Sequence, residues 1–466
     1  MMRSILQVLT RNVVTFIGAV LTTVSSLVFL TLFILDLFGF HGGPYVGIIV
    51  FVIMPALFVV GLLLIPIGGW IERLSKKGEG AEKRLPVIDV NSPRFQRLLI
   101  IFVAATTVNL IIVSIATYKA VEVMDSTNFC AKSCHVMKPE ATAYERSPHS
   151  RVGCVECHIG SGASWFAKSK LSGTRQLFEV IFNNYARPIP TPVHNLRPAR
   201  ETCEQCHWPT KFTGDRLKVI SHFTNDEKTK ERKTVLLMNI GGTRDGKAQG
   251  SHWHVDRGIQ IRYKADPKRE KISEVELTRE GKTKVYKVNA SNASASNSEG
   301  EWRVMDCVDC HNRPAHIYSL PAREVDAALA AGHLDKELPF IRRQAIQALE
   351  VNYPSTADAR AGLSKALKDF YEKGYPDVSK ARSGQIDAAV NTVQDIYASS
   401  VFPEMRVQWG TYPNFLGHQE TPGCSRCHDG EHVTDSGEKI FKSCDRCHAT
   451  LATEEENPEI LQALYP

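Results

Sequence analysis

Twelve cysteines constrain this chain more than any other feature of its 466 residues. All of them lie beyond residue 129, they fall into six close pairs, and a histidine directly follows the second cysteine of every pair. Five pairs read Cys154-Val-Glu-Cys157-His158, Cys203-Glu-Gln-Cys206-His207, Cys307-Val-Asp-Cys310-His311, Cys424-Ser-Arg-Cys427-His428 and Cys444-Asp-Arg-Cys447-His448. The first pair in the chain departs from the pattern, with three residues between its cysteines: Cys130-Ala-Lys-Ser-Cys134-His135-Val-Met137. An even cysteine count outside the cytoplasm suits disulfides, and one Cys-x-x-Cys suits half a zinc site. Neither requires histidine after every pair, whereas covalent haem attachment does. Two thiols on one tight turn reach the two vinyl groups of a porphyrin and form thioethers, and the next histidine is held under the iron as an axial ligand. The spacing therefore predicts six c-type haems, with His158, His207, His311, His428 and His448 as proximal ligands. At the first site the extra residue changes how His135 faces the iron, and Met137 is a rival ligand.

A low-spin haem takes a second axial ligand, usually His or Met. Six histidines of the sixteen belong to the motifs, which leaves ten. The candidates for distal ligands are His149 between the first two motifs and His194 before the third. His252 and His254 flank Trp253, His316 follows the fourth motif, and His418 and His432 stand on either side of the fifth. His222 and His333 lie far from any motif and are read as ordinary histidines. His41 is read as an interfacial histidine, with assistance to quinol proton release as the alternative.

The first 120 residues are of a different composition. Val13 to Leu35, Pro44 to Trp70 and Leu98 to Tyr118 carry no charge, and each exceeds the roughly 20 residues that cross a hydrocarbon core of about 30 Å. Three membrane helices are expected, because a backbone in lipid must satisfy its own hydrogen bonds, with Pro55 and Pro66 as kink positions in the second. The first apolar run is too long for a cleaved leader and no small-residue cleavage site follows it. Arg3 and Arg11 precede the first helix, and the 71–97 loop carries Arg73, Lys76, Lys77, Lys83, Arg84, Arg94 and Arg97, while Asp36 to Gly43 has no Lys or Arg. Positive loops stay in the cytoplasm, so the N-terminus is placed inside and everything after residue 119 in the periplasm of a bacterial inner membrane. A net charge of +6 with no basic stretch interleaved with aromatics gives no support to nucleic-acid binding.

The expected fold class is an N-terminal three-helix transmembrane anchor followed by a mostly irregular and α multihaem cytochrome c region with a small β-rich insert. The divisions are 1–118 for the anchor, 119–210 for haems one to three, 211–300 for the insert and 301–466 for a helical region with haems four to six. The insert rests on Val235 to Ile240, Ile259 to Tyr263 and Lys284 to Val288, which are short β-type runs. Asn289 to Gly300 reads as a loop, and the tail from Glu454 as acidic and partly exposed. Val325 and Leu329, then Phe340, Ile341, Ala345 and Leu349, have helical spacing.

Residues 119–207 resemble the NapC/NirT family of membrane-anchored cytochromes c. The stretches that carry the resemblance are Cys134-His-Val-Met-Lys-Pro-Glu, then Ser147-Pro-His149, then Gly153-Cys-Val-Glu-Cys-His158. The resemblance implies quinol oxidation at the first haem, Met137 as its axial ligand with His135 left free, and a quinol-binding lysine, matched by position at Lys168 or Lys170. Gln176 stands nearest to where the family often carries an aspartate. Typical members have one membrane helix and four haems. With three helices and six haems, the architecture is more similar to the larger inner-membrane multihaem quinol dehydrogenases of metal-respiring bacteria.

The expected function is oxidation of membrane quinol, menaquinol above all, with electrons passed through the haems to a periplasmic cytochrome or reductase in anaerobic or extracellular respiration. The lipid bilayer and the quinol pool are the expected partners, and homo- and hetero-oligomers are both left open. Two other readings are a relay subunit that anchors a reductase without its own quinol site, and a terminal reductase with an open haem.

Overall fold

Each of the three apolar runs becomes a helix: α1 (Val13–Leu37), α2 (Met54–Ser75) and α3 (Pro93–Asp125). The computed structural model describes residues 12–37, 49, 53–75, 91–159, 163–193, 196–208, 212, 214–244, 247–256, 258–288 and 300–464. The chain divides into two units, Met1–Met137 and Lys138–Pro466.

In the first unit, α1 and α2 approach through small residues. A Cβ on Gly61 would stand 2.5 Å from the Thr22 hydroxyl and 2.7 Å from its backbone nitrogen, and one on Gly18 would stand 2.8 Å from the Gly61 carbonyl. Without water to drive association, helices in lipid gain by this kind of backbone approach. The Asn12 amide adds a hydrogen bond to the Gly68 carbonyl at 3.0 Å. Pro66 lies inside α2, whereas Pro55 falls in its first turn. The expected third span stopped at Tyr118, yet α3 runs on through Lys119 and Glu122, which pair at 2.8 Å, to Asp125. At about 1.5 Å per residue it outruns the hydrocarbon core and projects beyond it. Ser126 ends it, and its hydroxyl accepts the Phe129 amide to start α4 (Thr127–Lys132), which carries Cys130.

The second unit opens with α5 (Lys138–Glu145), α6 (Cys154–His158), α7 (Ala163–Ile181) and α8 (Ala199–Cys203). Strands follow: β1 (Asp215–Phe223), β2 (Glu231–Asn239), β3 (Gly242–Arg244), β4 (Lys247–Gln249), β5 (Ile259–Ala265), β6 (Ile272–Arg279), β7 (Lys282–Val288) and β8 (Glu301–Val304). Strand β5 alternates, with Ile259, Ile261, Tyr263 and Ala265 buried against Ile272, Val275 and Tyr286. All three β-type runs of the sequence are strands. They do not form a self-contained insert, however. Strand β9 (His432–Val433), beyond the fifth motif, completes a five-stranded sheet in the order β8-β5-β6-β7-β9. Strand β10 (His448–Glu455), which starts on the last histidine of the sixth motif, pairs with β2 beside β1. The soluble part is therefore a mixed helix and strand structure, in keeping with the expected α region and β-rich insert, and its sheets also take in β9 and β10 from the C-terminal region. Most of the Asn289 to Gly300 loop lies outside the described residues. The Glu454 tail is tied down: β10 runs through it, and Glu456 pairs with Lys230 and Arg232, each at 3.0 Å.

Helices α9 (Pro321–Ala330), α10 (Ile341–Leu349), α11 (Thr356–Gly374), α12 (Pro376–Ala381) and α13 (Ser383–Ser400) build a hydrophobic core around Val325, Leu329, Leu338, Ile341, Ala345, Leu349, Leu363 and Val393. Phe340 caps α10 from outside it, with a left-handed backbone at φ 58°. Arg342 and Asp326 pair inside this core at 2.6 and 2.9 Å. Asp326 also accepts the Phe223 amide at the end of β1 at 3.2 Å, which fastens the helices to the sheet. A last short helix, α14, spans Glu459–Leu464.

Candidate haem sites

Each cysteine pair sits on one turn of helix, as attachment requires. The second pair occupies α6, and the third begins on Cys203, the last residue of α8. The fourth, fifth and sixth lie on single 3-10 turns. In three of them the histidine closes the turn: its amide donates to the first cysteine's carbonyl, His207 to Cys203 at 2.7 Å, His311 to Cys307 at 2.9 Å and His428 to Cys424 at 3.1 Å. Asp306 and Asp309 lock the fourth turn reciprocally. The Asp306 side chain accepts the Val308 amide at 3.1 Å, and the Asp309 side chain accepts the Asp306 amide at 2.7 Å. In the first unit, Cys130 lies on α4, Cys134 follows it, and His135–Met137 is a 3-10 turn closed from Met137 to Cys134 at 3.0 Å. All twelve cysteines stand unbridged. Among the described residues no group of three or more His, Cys, Asp or Glu side chains gathers as a metal-ion site would need.

Opposite each of five motif histidines stands a second imidazole. The ring centroids of His149 and His207 are 6.0 Å apart, those of His158 and His316 6.2 Å, and those of His252 and His311 6.3 Å. His254 and His428 are separated by 5.9 Å, and His418 and His448 by 6.2 Å. Two imidazoles on one metal, each bonded at about 2 Å, put their ring centres roughly 6 Å apart. The spacing is right for an iron between the rings.

The ring nitrogens are set for the same purpose. Nδ1 lies against a backbone carbonyl in five of these histidines: His149 on Pro314 at 3.1 Å, His252 on Ile240 at 3.0 Å, His254 on Ser251 at 2.8 Å, His316 on Glu140 at 3.0 Å and His428 on Phe441 at 2.8 Å. A carbonyl can only accept, so Nδ1 carries the proton and Nε2 keeps its lone pair for a metal. Burial holds His158, His254, His311 and His316 below the ordinary histidine range, so they stay neutral, the form that binds metal. The residues present thus fit c-type haem at five sites.

The remaining candidates are placed differently. His432 is fully buried, with Nδ1 on Asp429 at 3.0 Å and Nε2 on the Ile272 carbonyl at 3.2 Å. Both nitrogens are hydrogen-bonded to the protein, and the Ile272 contact pins β9 to β6. His194 lies outside the described residues. Lys168, Lys170 and Gln176 all lie on α7. Lys168 is exposed, its ammonium 5.0 Å from the centre of the Trp165 ring, and Gln176 bonds the Ser172 hydroxyl at 3.3 Å. Lys168 and Lys170 point to opposite sides, since two residues turn an α-helix by about 200°.

Sequence reasoning missed what surrounds the imidazoles. Glu140 is buried beside His316, and burial raises its carboxyl although Arg313 and Tyr318 lower it. Arg426 of the fifth motif reaches into the fourth, as described in the Discussion. The attachment turns also succeed one another in space in chain order. Cys157 lies near Cys206, Cys203 near Cys307, Cys310 near Cys424, and Cys424 near Cys447.

Turns of paired thiols, five of them answered across an iron-sized gap by a second imidazole, define a multihaem cytochrome c, here carried on a membrane anchor. The N-terminal region of the NapC/NirT cytochrome c family matches residues 92–189. Cytochrome c-type protein ImcH of Geobacter sulfurreducens is 41% identical over 453 residues, which cover 96% of this chain and 89% of that protein. Cytochrome c-type protein NrfH of Wolinella succinogenes is 25% identical over 143 residues, 30% of this chain and 80% of that protein. The chain belongs to the NapC/NirT family and is a membrane-anchored electron-transport protein that holds c-type haem. No solved structure matches it.

Proposed function

We propose that this protein carries six c-type haems, oxidises menaquinol at the first, and delivers electrons to a periplasmic cytochrome or reductase. The anchor would lie in the inner membrane with the N-terminus in the cytoplasm and Lys138–Pro466 in the periplasm. The observation that carries this reading is the set of five imidazole pairs on attachment turns that succeed one another from the second motif to the sixth. His149, His316, His252, His254 and His418 would be the distal ligands of the third, second, fourth, fifth and sixth haems. At the first haem, Met137 is the proposed axial ligand, with His135 free.

When bound, the haem irons take up and give back one electron at a time. The chain's own residues position and tune them. Entry at the first site is supported by α3, which leads from the lipid to Asp125, with Cys130 in the next short helix. One α7 lysine, Lys168 or Lys170, would hold a quinol oxygen by its charge, with Gln176 as a hydrogen-bonding neighbour. Quinol gives up two electrons, and its two protons leave to the water outside. Because the two lysines face opposite ways, one alone can hold a given quinol. The second reading is a relay subunit without its own quinol site.

Stopped-flow mixing of oxidised protein with a reduced menaquinone analogue separates the two. Rapid haem reduction, lost in Lys168→Ala or Lys170→Ala but not both, is the expected result. Reduction by a partner cytochrome but not by quinol would make the protein a relay. Intact mass spectrometry should show six haem additions, and five or fewer would remove the hexahaem assignment.

A further inference from the structure

We propose that α7 is an interfacial helix, lying in the plane of the membrane with its apolar face among the lipid acyl chains. Leu171 is 75% exposed, Leu177 58%, Phe178 55%, Ile181 62% and Phe182 74%. At about 100° per residue these five side chains share one arc of roughly 140°, along with Ala167 and Thr174 and with Lys170 just inside its far edge, where a long side chain snorkels out of the lipid. Monomeric soluble proteins rarely leave so continuous a run of large apolar side chains in water.

The occupant is argued from three observations. The edge of the arc is basic: Lys168 and Arg175 border it, and Arg175 is 81% exposed although it reaches Glu179 at 2.8 Å. Lys168 stands at the edge of the arc, where a snorkelling lysine reaches the headgroups, and its ammonium lies 5.0 Å from the centre of the Trp165 ring on the polar side. The opposite side, Ser172 and Gln176, is polar and exposed, so the helix has the two-faced composition of one that lies on a bilayer rather than crosses it. Finally, the same chain carries three spans, the last of which ends at Asp125, with α4 to α6 and the first two attachment motifs between it and the start of α7 at Ala163. A lipid surface is always within reach of this helix, which cannot be said of a partner protein. The inference rests on membrane anchoring and not on the quinol assignment.

The test uses the full-length haem-loaded protein, one copy per nanodisc, made with a phospholipid that carries a diazirine on its acyl chain. After irradiation, peptide mass spectrometry should find lipid adducts on Leu171, Leu177, Phe178, Ile181 or Phe182. Hydroxyl-radical footprinting should leave those residues protected while Ser172 and Gln176 react. A Leu171→Glu, Phe178→Glu, Phe182→Glu variant should lose the adducts and keep its haem absorption spectrum. Solvent-like oxidation of the apolar face would overturn the proposal. So would protection without adducts, which would mean that a second copy, another part of the chain or a porphyrin covers the face. Adducts that persist in the glutamate variant would overturn it as well, and quinol turnover enters none of these readings.

Discussion

The guanidinium of Arg426, third residue of the fifth motif, donates to the backbone carbonyl of Asp309, third residue of the fourth. It also donates to the Arg269 carbonyl at 2.7 Å and the Gly423 carbonyl at 2.9 Å, and it lies 3.9 Å over the Phe415 ring. One buried side chain thus joins two haem turns that are distant in sequence. Asp309 is held in turn by the Tyr263 hydroxyl at 2.6 Å and by Arg303 at 2.9 Å.

Replacing Arg426 with methionine keeps much of the stem and removes every one of these bonds. The orphaned carbonyls should cost about 3 kcal/mol, in line with the loss of buried charged hydrogen bonds. The melting temperature should fall with the haem count unchanged. Lysine should not rescue it, because a single ammonium cannot reproduce the planar fork.

His316 and His432 are two buried histidines with opposite expected behaviour. His316→Ala should convert one haem from low-spin to high-spin, read as a new high-spin signal in electron paramagnetic resonance. His432→Leu should leave the haem spectra alone and lower stability by about 2 kcal/mol through two lost hydrogen bonds. A spin change in the His432 variant would reverse the assignment.

His252 and His254 lie on one 3-10 turn around Trp253 and face His311 and His428 respectively. His252→Ala and His254→Ala should therefore each open a different haem. The double variant should show two high-spin irons, counted by near-infrared magnetic circular dichroism. A double variant with one would mean that the pair serves a single iron.

The Asp326–Arg342 pair is the polar fastening of the helical core to β1. Asp326→Ala leaves a buried guanidinium with Asn225 alone, at 2.7 Å, and should cost about 3–5 kcal/mol in denaturant unfolding. Haem spectra of the folded variant should match the parent.

The β1–β2 turn should respond to acid. Burial raises the Asp226 carboxyl slightly, but the Thr224 hydroxyl, the Lys228 and Thr229 amides and the Lys230 charge outweigh it, and the group titrates below the usual range. Its contribution is complete above the unfolded value of about 3.9 and is lost as pH falls through the lower folded value. Amide exchange at Lys228 and Thr229, corrected for intrinsic rates, should quicken between about pH 4 and pH 2. Asp226→Asn should remove that acid dependence.

The attachment turns and the membrane spans were legible in the sequence because both are local: a spacing of three or four residues, or an uninterrupted apolar run. The strands of β2, β5 and β7 were legible for the same reason. The partners of the distal histidines were not, since His158 meets His316 and His254 meets His428 across long stretches of chain. His432 could not be told from His418 by position, because each stands a few residues from the fifth motif. What separates them is that Ile272, on another strand, occupies the second nitrogen of His432. The extension of α3 past Tyr118 escaped notice because its charged residues end the apolar run without ending the helix.

The crossed pattern of imidazole pairs has a bearing on how the protein is made. A chain that emerges N-terminus first can close the third site as soon as His207 appears, since His149 has already passed. The second site waits for His316, which follows His311, so the fourth site is able to close before the second. His254 is idle until His428 arrives. On the proposed ligation, maturation would therefore run out of register with synthesis, and the half-liganded second turn would be the stage at which a stalled or truncated chain is exposed to misligation.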